Sequence, residues 1–494
     1  MTRRRGIGRV ATGAVSMLAA AAMVGMCASP AAAVDPPNVD AIPLITPKDP
    51  DPAPATPMKQ STSCATSGLL ANSAIDRPAP ANVAFDVDRL HQFADGKGVK
   101  VAVIDSGVSP NTRLPRLAGG GDYIGSTQGL QDCDHHGTLV AGIIGAAASD
   151  DDGFVGVAPG VSLISIRQTS AAYEPADYKD KSDGPGSSTL STLAKAVVRA
   201  ANMGAKVINL SVTACYSPSR VVDSSDLAEA LRYAVQTKDA MIVTSAGNTN
   251  DESCKANPGY DPSNAGDEAN WAGVQTISMP SYYSPLVLSV GGADLTGQVY
   301  PGTMTGPWVD VAAPAVSIVS LDPTKPKGGL TNASIGDKGP EMIVGTSFAS
   351  AYVSGLAALI RQRFPTLTAP QVRQRIIDTA HTPAATQRGA FGSGLVDPVA
   401  ALTWPGSVLH RQDGPRSRPL GAEHSERDLS WIAPAVAWTA IGIAAVVTLI
   451  VFGGTTLRRS ARARSDAAPR WSESDSVRTA RAKQRRRTIQ EANR

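Results

Sequence analysis

Between residues 81 and 404 short apolar runs alternate with helical patterns, and this alternation narrows the possible folds more than any other property of the chain. Apolar runs lie at 100–104, 162–166, 206–212, 240–245 and 286–290. Between them, 137–148 reads as a helix of small residues, and 192–203 and 225–237 carry helical periodicity. Strands separated by helices of this length predict βαβ units and a parallel sheet covered on both faces. The expected class is therefore α/β, a doubly wound parallel sheet with helices on both faces. Functional side chains then gather at the carboxyl ends of the strands.

Residues able to do chemistry fall at those ends. Asp105 closes the run at 100–104, and Asn248 follows the run that ends at 245. His136 immediately precedes the small-residue helix, and Ser347 lies in Gly345-Thr346-Ser347-Phe348-Ala349-Ser350. The chain order Asp, His, Ser is one of three found for the orienter, base and nucleophile of serine hydrolases. By role, Ser347 attacks a carbonyl, His136 takes its proton and passes it to the leaving group, and Asp105 holds the imidazole tautomer. The Asn248 amide and the Ser347 N–H are the expected donors to the oxyanion. Singly, such residues are turn formers or helix caps; together, in this order and local sequence, they read as one site. His135 stands beside His136, and the following Gly137-Thr138 selects His136.

Both ends carry targeting signals. Arg3, Arg4, Arg5 and Arg9 precede an apolar run at 10–27 and the small residues 28–33, which predicts a signal peptide over 1–33. Residues 34–80 form a Pro-rich extension that cannot make a core alone. The catalytic domain is assigned to 81–404 and a linker to 405–430. Residues 431–452 are free of charge and as a helix span about 33 Å, which predicts a transmembrane helix at 431–453. Arg458, Arg459, Arg462 and Arg464 follow it, placing the basic tail at 454–494 in the cytoplasm, against lipid headgroups, and the larger portion outside. The formal net charge of +3 is too small to suggest nucleic-acid binding.

After removal of the signal peptide the cysteines are Cys64, Cys133, Cys215 and Cys254. An even number in an exported chain favours two disulfides. Of the three pairings, Cys64 with Cys133 and Cys215 with Cys254 is favoured. The second pair flanks one helix–strand unit, and the first ties the extension to the loop beside His136. No Cys-x-x-Cys pair exists to suggest zinc. Asp150-Asp151-Asp152 reads as a solvated turn rather than a calcium loop, so neither metal nor cofactor is expected.

The blocks Ile104-Asp105-Ser106-Gly107-Val108, His136-Gly137-Thr138-Leu139-Val140-Ala141-Gly142, Ser245-Ala246-Gly247-Asn248 and the one containing Ser347 resemble the signature blocks of the subtilisin family over roughly 81–404. With the signal peptide, Pro-rich extension, four cysteines and C-terminal membrane helix, the whole resembles the mycosins, membrane-anchored subtilisin-like proteases of type VII secretion systems. The resemblance implies endopeptidase activity on protein or peptide substrates and association with the secretion membrane complex. It also implies an extension that wraps the catalytic domain instead of inhibiting it. Ser211, Val212 and Thr213 resemble the strand that pairs with substrate, Thr213 narrowing a pocket where many relatives have Gly. Leu139 and Ala351 stand where the wider family has His and Pro. The loops at 167–188 and 249–273 read as insertions that rim the cleft or meet a partner. A structural subunit of the secretion complex, with proteolysis secondary, is the alternative function.

Overall fold

Seven parallel strands form the centre of the molecule. The structure is a computed structural model and describes residues 34–177, 190–220, 222–249, 253–264 and 266–405. The strands are β1 (Lys100–Asp105), β2 (Leu117–Asp122), β3 (Ser162–Arg167), β4 (Val207–Leu210), β5 (Met241–Ser245), β6 (Leu288–Ala293) and β7 (Val311–Pro314), in the order β7-β6-β5-β4-β1-β3-β2. Every pairing among them is parallel. Val101, Ala102, Val103 and Ile104 are all buried, as a sheet covered on both faces requires.

The sheet is doubly wound about β1, whose neighbours are β3 and β4. Helices α1 (His136–Gly145) and α4 (Thr346–Arg363) pack together, and α4 runs across β4, β5, β6 and β7. Helices α2 (Leu190–Asn202) and α3 (Ser225–Arg232) pack against each other, while α5 (Ala369–Thr379) packs on α4 and β5. Helix α2 buries Leu193, Ala196, Val197 and Ala200 and exposes Ser191 and Lys195, the stripe expected of a helix with one face in water. Helix α4 is buried from Thr346 to Arg361 and is built largely from small residues. Its backbone therefore lies close to its neighbours, and a Cβ on Gly355 would stand 2.5 Å from Val157 Cβ.

Two strands of this sheet were not expected from the sequence pattern. β2 is Leu-Ala-Gly-Gly-Gly-Asp and β7 is Val-Ala-Ala-Pro, neither rich in β-branched residues; they extend because β3 and β6 offer edges to pair with. Asp152 also departs from its solvated-turn reading. Its side chain is buried and receives Arg113 Nη1 at 3.0 and 2.8 Å, while Asp150 and Asp151 are exposed. A carboxylate placed beside the buried Arg113 compensates a charge that would otherwise be costly.

The extension forms a belt over the domain. Tyr282 Oη donates to Asp35 O, and Arg232 donates to Asp40 O and Ile42 O. Asp49 accepts from Arg199 at 2.7 Å and from Asn202 at 2.9 Å on α2. Pro52 O takes the Asp122 N–H on edge strand β2. Met58–Gln60 pairs antiparallel with Tyr173–Pro175, and Ser67–Gly68 adds a strand to the hairpin of Ala333–Gly336 and Gly339–Met342. Because a Pro-rich segment buries little apolar surface of its own, it is held by partners along its length.

The structure pairs Cys64 with Cys133 and Cys215 with Cys254, the favoured pairing. Among the described residues no helix is long and apolar enough to cross a membrane. The readings at 1–33, 431–453 and 454–494, and the linker beyond residue 405, lie outside the described residues, as does 178–189 of the first insertion. Replacing Cys64 and Cys133 by Ser together frees a loop with a sequence separation of 69. Thermal or denaturant unfolding should show a loss of about 2–5 kcal/mol.

Candidate active site

Asp105 is the last residue of β1, and its side chain is only 2% exposed. One oxygen, Oδ1, takes His136 Nδ1 at 2.7 Å and the Ser106 N–H at 2.7 Å. The other, Oδ2, is buried with no partner among the described residues. His136 opens α1, after His135 has turned the chain through a left-handed conformation (φ 63°). The helix start lies directly on the turn that follows β1. A Cβ on Gly137 would stand 2.0 Å from Gly107 O and 3.1 Å from Asp105 Oδ1, so only glycine lets imidazole and carboxylate meet.

The neighbouring histidine has a different task. His135 is buried and places Nδ1 3.1 Å from Ser67 Oγ of the extension, and Ser67 donates to Asp322. Of the two imidazoles, His136 is the one on Asp105.

Ser347 is the second residue of α4, so its N–H has no acceptor within the helix. Gly345, at φ 149° and ψ 154°, turns the chain into α4 through a conformation almost confined to glycine. Ser347 is 7% exposed, and its Oγ donates to Ser211 O at 3.4 Å. It makes no hydrogen bond to His136 in this state. The imidazole does lie against the next residue, with the His136 and Phe348 ring centres 5.3 Å apart.

Asn248 is held by its oxygen. Oδ1 accepts from Thr346 N at 2.9 Å and from Thr346 Oγ1 at 3.1 Å, which leaves Nδ2 uncommitted among the described residues beside the start of α4. Gly247 N–H in turn donates to Thr346 Oγ1. Ser211 follows β4 and is buried; Val212 and Thr213 are half-buried and lead into Ala214–Tyr216, which pairs antiparallel with Ile277–Met279.

A polar set, of which only Ser211 was assigned a role from sequence, fixes this arrangement. Asn209 Nδ2 donates to Ser354 Oγ at 3.0 Å and Ser350 Oγ at 3.3 Å, and Asn209 Oδ1 accepts from Ser211 Oγ. Ser350 and Ser354 are four apart on α4 and face β4. That i, i+4 pair of hydroxyls was the signal available in the sequence.

Electrostatics favour a protonated imidazole. Burial alone disfavours the charged His136 ring, but the Asp105 charge and hydrogen bond, with Asp132 and Asp134 beyond, outweigh it and raise His136 above the ordinary histidine value. About a third of the side chain remains accessible, so the ring can meet a substrate. No group of three or more His, Cys, Asp or Glu able to hold a metal occurs among the described residues.

The sequence model of the Subtilase family, peptidase S8, matches residues 96–394. Mycosin-1 of Mycobacterium tuberculosis is 45% identical over 419 residues, covering 81% of this chain and 92% of that protein. Mycosin-3 of the same organism is 43% identical, covering 79% and 86%. The crystal structure of MycP1 from Mycobacterium smegmatis superposes with a TM-score of 0.71 at 42% identity, over 78% of this chain and 100% of that one. A chain of the intact ESX-5 inner membrane complex superposes with a TM-score of 0.72 at 38% identity, over 86% and 100%. The chain belongs to the subtilase family and, within it, to the mycosins, and is a subtilisin-like serine protease.

Proposed function

We propose that the chain is a membrane-anchored serine endopeptidase that cuts exported proteins through Asp105, His136 and Ser347 and works in association with a type VII secretion membrane complex. The observation that carries this reading is the 2.7 Å contact of His136 with Asp105, next to an α-helix that begins with Thr346 and Ser347. In the substrate complex the Ser347 hydroxyl leaves Ser211 O and gives its proton to His136 Nε2, a contact this structure does not make. Side-chain contacts of this kind tighten in the substrate complex.

Ser347 Oγ then bonds to the scissile carbonyl carbon as its proton passes to His136. The carbonyl oxygen takes the negative charge and is met by Asn248 Nδ2 and the Ser347 N–H. His136, now cationic beside Asp105, gives its proton to the departing amine as the C–N bond breaks. Water repeats the sequence to release the acyl group from Ser347. Ser211, Val212 and Thr213, on the segment leaving β4, are the proposed pairing edge for the substrate backbone.

Association with a secretion complex is supported by similarity to MycP1 from the ESX-1 type VII secretion system and to a chain of the ESX-5 inner membrane complex. The proposed layout has a signal peptide at 1–33, an extracytoplasmic domain at 81–404, a membrane helix at 431–453 and a cytoplasmic basic tail. A second role, as a structural subunit of that complex, is favoured by the same similarity, which needs no turnover. Replacing Ser347 by Ala separates the roles. Loss of substrate cleavage with secretion intact makes assembly the main role; loss of both makes proteolysis essential.

A fluorophosphonate should label wild-type protein at Ser347 and leave Ser347→Ala unlabelled, as read by mass spectrometry; labelling elsewhere sinks the assignment. Asn248→Ala should lower kcat by about 10²–10³ with KM nearly unchanged. The pH profile follows from the raised His136 value. The neutral imidazole is the base, so kcat/KM should fall as pH drops through a midpoint above about 6.5. Asp105→Asn removes the largest influence raising it and should move that midpoint down while lowering kcat by about 10⁴.

A further inference from the structure

Asp132 is a buried carboxylic acid that the mechanism above does not use. It lies four residues before His136, is 5% exposed, and its Oδ2 accepts from Thr138 N at 2.8 Å and Thr138 Oγ1 at 2.7 Å. Its Oδ1 meets the Ser106 hydroxyl at 2.8 Å. That same hydroxyl stands 3.1 Å from Asp105 Oδ1 and accepts the Gly137 N–H at 2.9 Å. Ser106 owns one hydroxyl proton and faces two carboxyl groups, so it can donate to only one of them at a time.

We propose that Asp132 is a positioning residue of the active site: it competes with Asp105 for the single hydroxyl proton of Ser106 and, through that proton and its own charge, sets how strong a base His136 is. When Asp132 is ionised, Ser106 donates to it, and Asp105 keeps only the Ser106 N–H and His136. An Asp105 with fewer donors holds the imidazolium more firmly, and the second negative charge adds to the attraction. When Asp132 is neutral, its own proton goes to Ser106 Oγ, the Ser106 proton turns to Asp105, and both influences on His136 weaken.

Burial pushes Asp132 up to about 7, against the hydrogen bonds from Thr138 and Ser106, and the nearby Asp105 charge pushes the same way. Both states are therefore accessible near neutrality. The other titratable groups facing this cluster are Asp134 and His135 on the same loop and Asp322 behind His135. Asp134 is occupied by Ser170 Oγ and the Ala171 N–H. Among the described residues no Lys or Arg forms an ion pair with Asp105, Asp132 or Asp134, and the His136 ring is the basic group in contact with Asp105.

The proposal rests on His136 being the base. Its test is the rate of Ser347 labelling by a fluorophosphonate from about pH 5 to about pH 9, on the full chain with disulfides intact. Asp132→Asn should move the acid limb down by about 0.5–1 pH unit. It should also slow labelling on the plateau about three- to tenfold, with the probe's binding constant unchanged. Ser106→Ala removes the shared proton and leaves Asp105 the same donors whatever the state of Asp132, so Asp132→Asn made in that background should shift the limb by less than it does alone. A folded Asp132→Asn with the wild-type limb and plateau overturns the proposal, as do strictly additive shifts. Should Asp132→Asn not fold, Thr138→Val takes the Thr138 hydroxyl from Asp132 Oδ2, makes the acid less acidic and should move the limb down; an unshifted limb in that variant overturns the proposal. His136→Ala is the control: if it labels at the wild-type rate, the assignment of the base has failed instead.

Discussion

Where β1 ends and α1 begins, two stretches of backbone approach so closely that a single methyl group would part them. Gly137 lies on Gly107 O at a distance no Cβ tolerates, and this approach delivers the His136 ring to Asp105. The sheet supplies one partner because β1 sits at the switch point, with its carboxyl end open between β3 and β4. Helix α1 supplies the other because His135 turns the chain just before it. A bulkier side chain at 137 would lift α1 off the turn and leave Asp105 buried without its imidazole partner.

The same economy of space governs the opposite wall. Helix α4 is buried along nearly its whole length, and its small side chains let it lie across β4 to β7. Polar stitching then fixes its register. Asn209 reaches Ser350 and Ser354, while Thr346 is held by Asn248 and Gly247. A buried polar group left unpaired would cost more than the bond it makes, so these contacts specify one placement of the Ser347 turn. Several acids face a single imidazole, an arrangement that favours its charged form.

Much of this was legible in the sequence. Asp105, His136, Asn248 and Ser347 stood out through their chain order and local sequence blocks, and two glycines of those blocks, Gly107 and Gly137, sit where backbone approaches too closely for a Cβ. Strands β1, β3, β4, β5 and β6 declared themselves as apolar runs. β2 and β7 did not, since their glycines and alanines extend only where a neighbouring strand offers an edge, and that neighbour is absent from any local pattern. Asp132 was invisible because its place beside Ser106 depends on two loops meeting. Asp152 looked solvated because Arg113, which buries it, lies 39 residues away.

The belt of residues 34–80 changes what cleavage of the chain near its amino end would accomplish. On one side of Ser61 to Ser63 the Met58–Gln60 strand is hydrogen-bonded to Tyr173–Pro175 and Asp49 is paired with Arg199; on the other, Cys64 is covalently attached to Cys133. A nick between them severs the polypeptide yet leaves both fragments seated, each by its own anchors. A cut here would therefore change connectivity without releasing either piece, since the disulfide would keep the segment beside His136 in place.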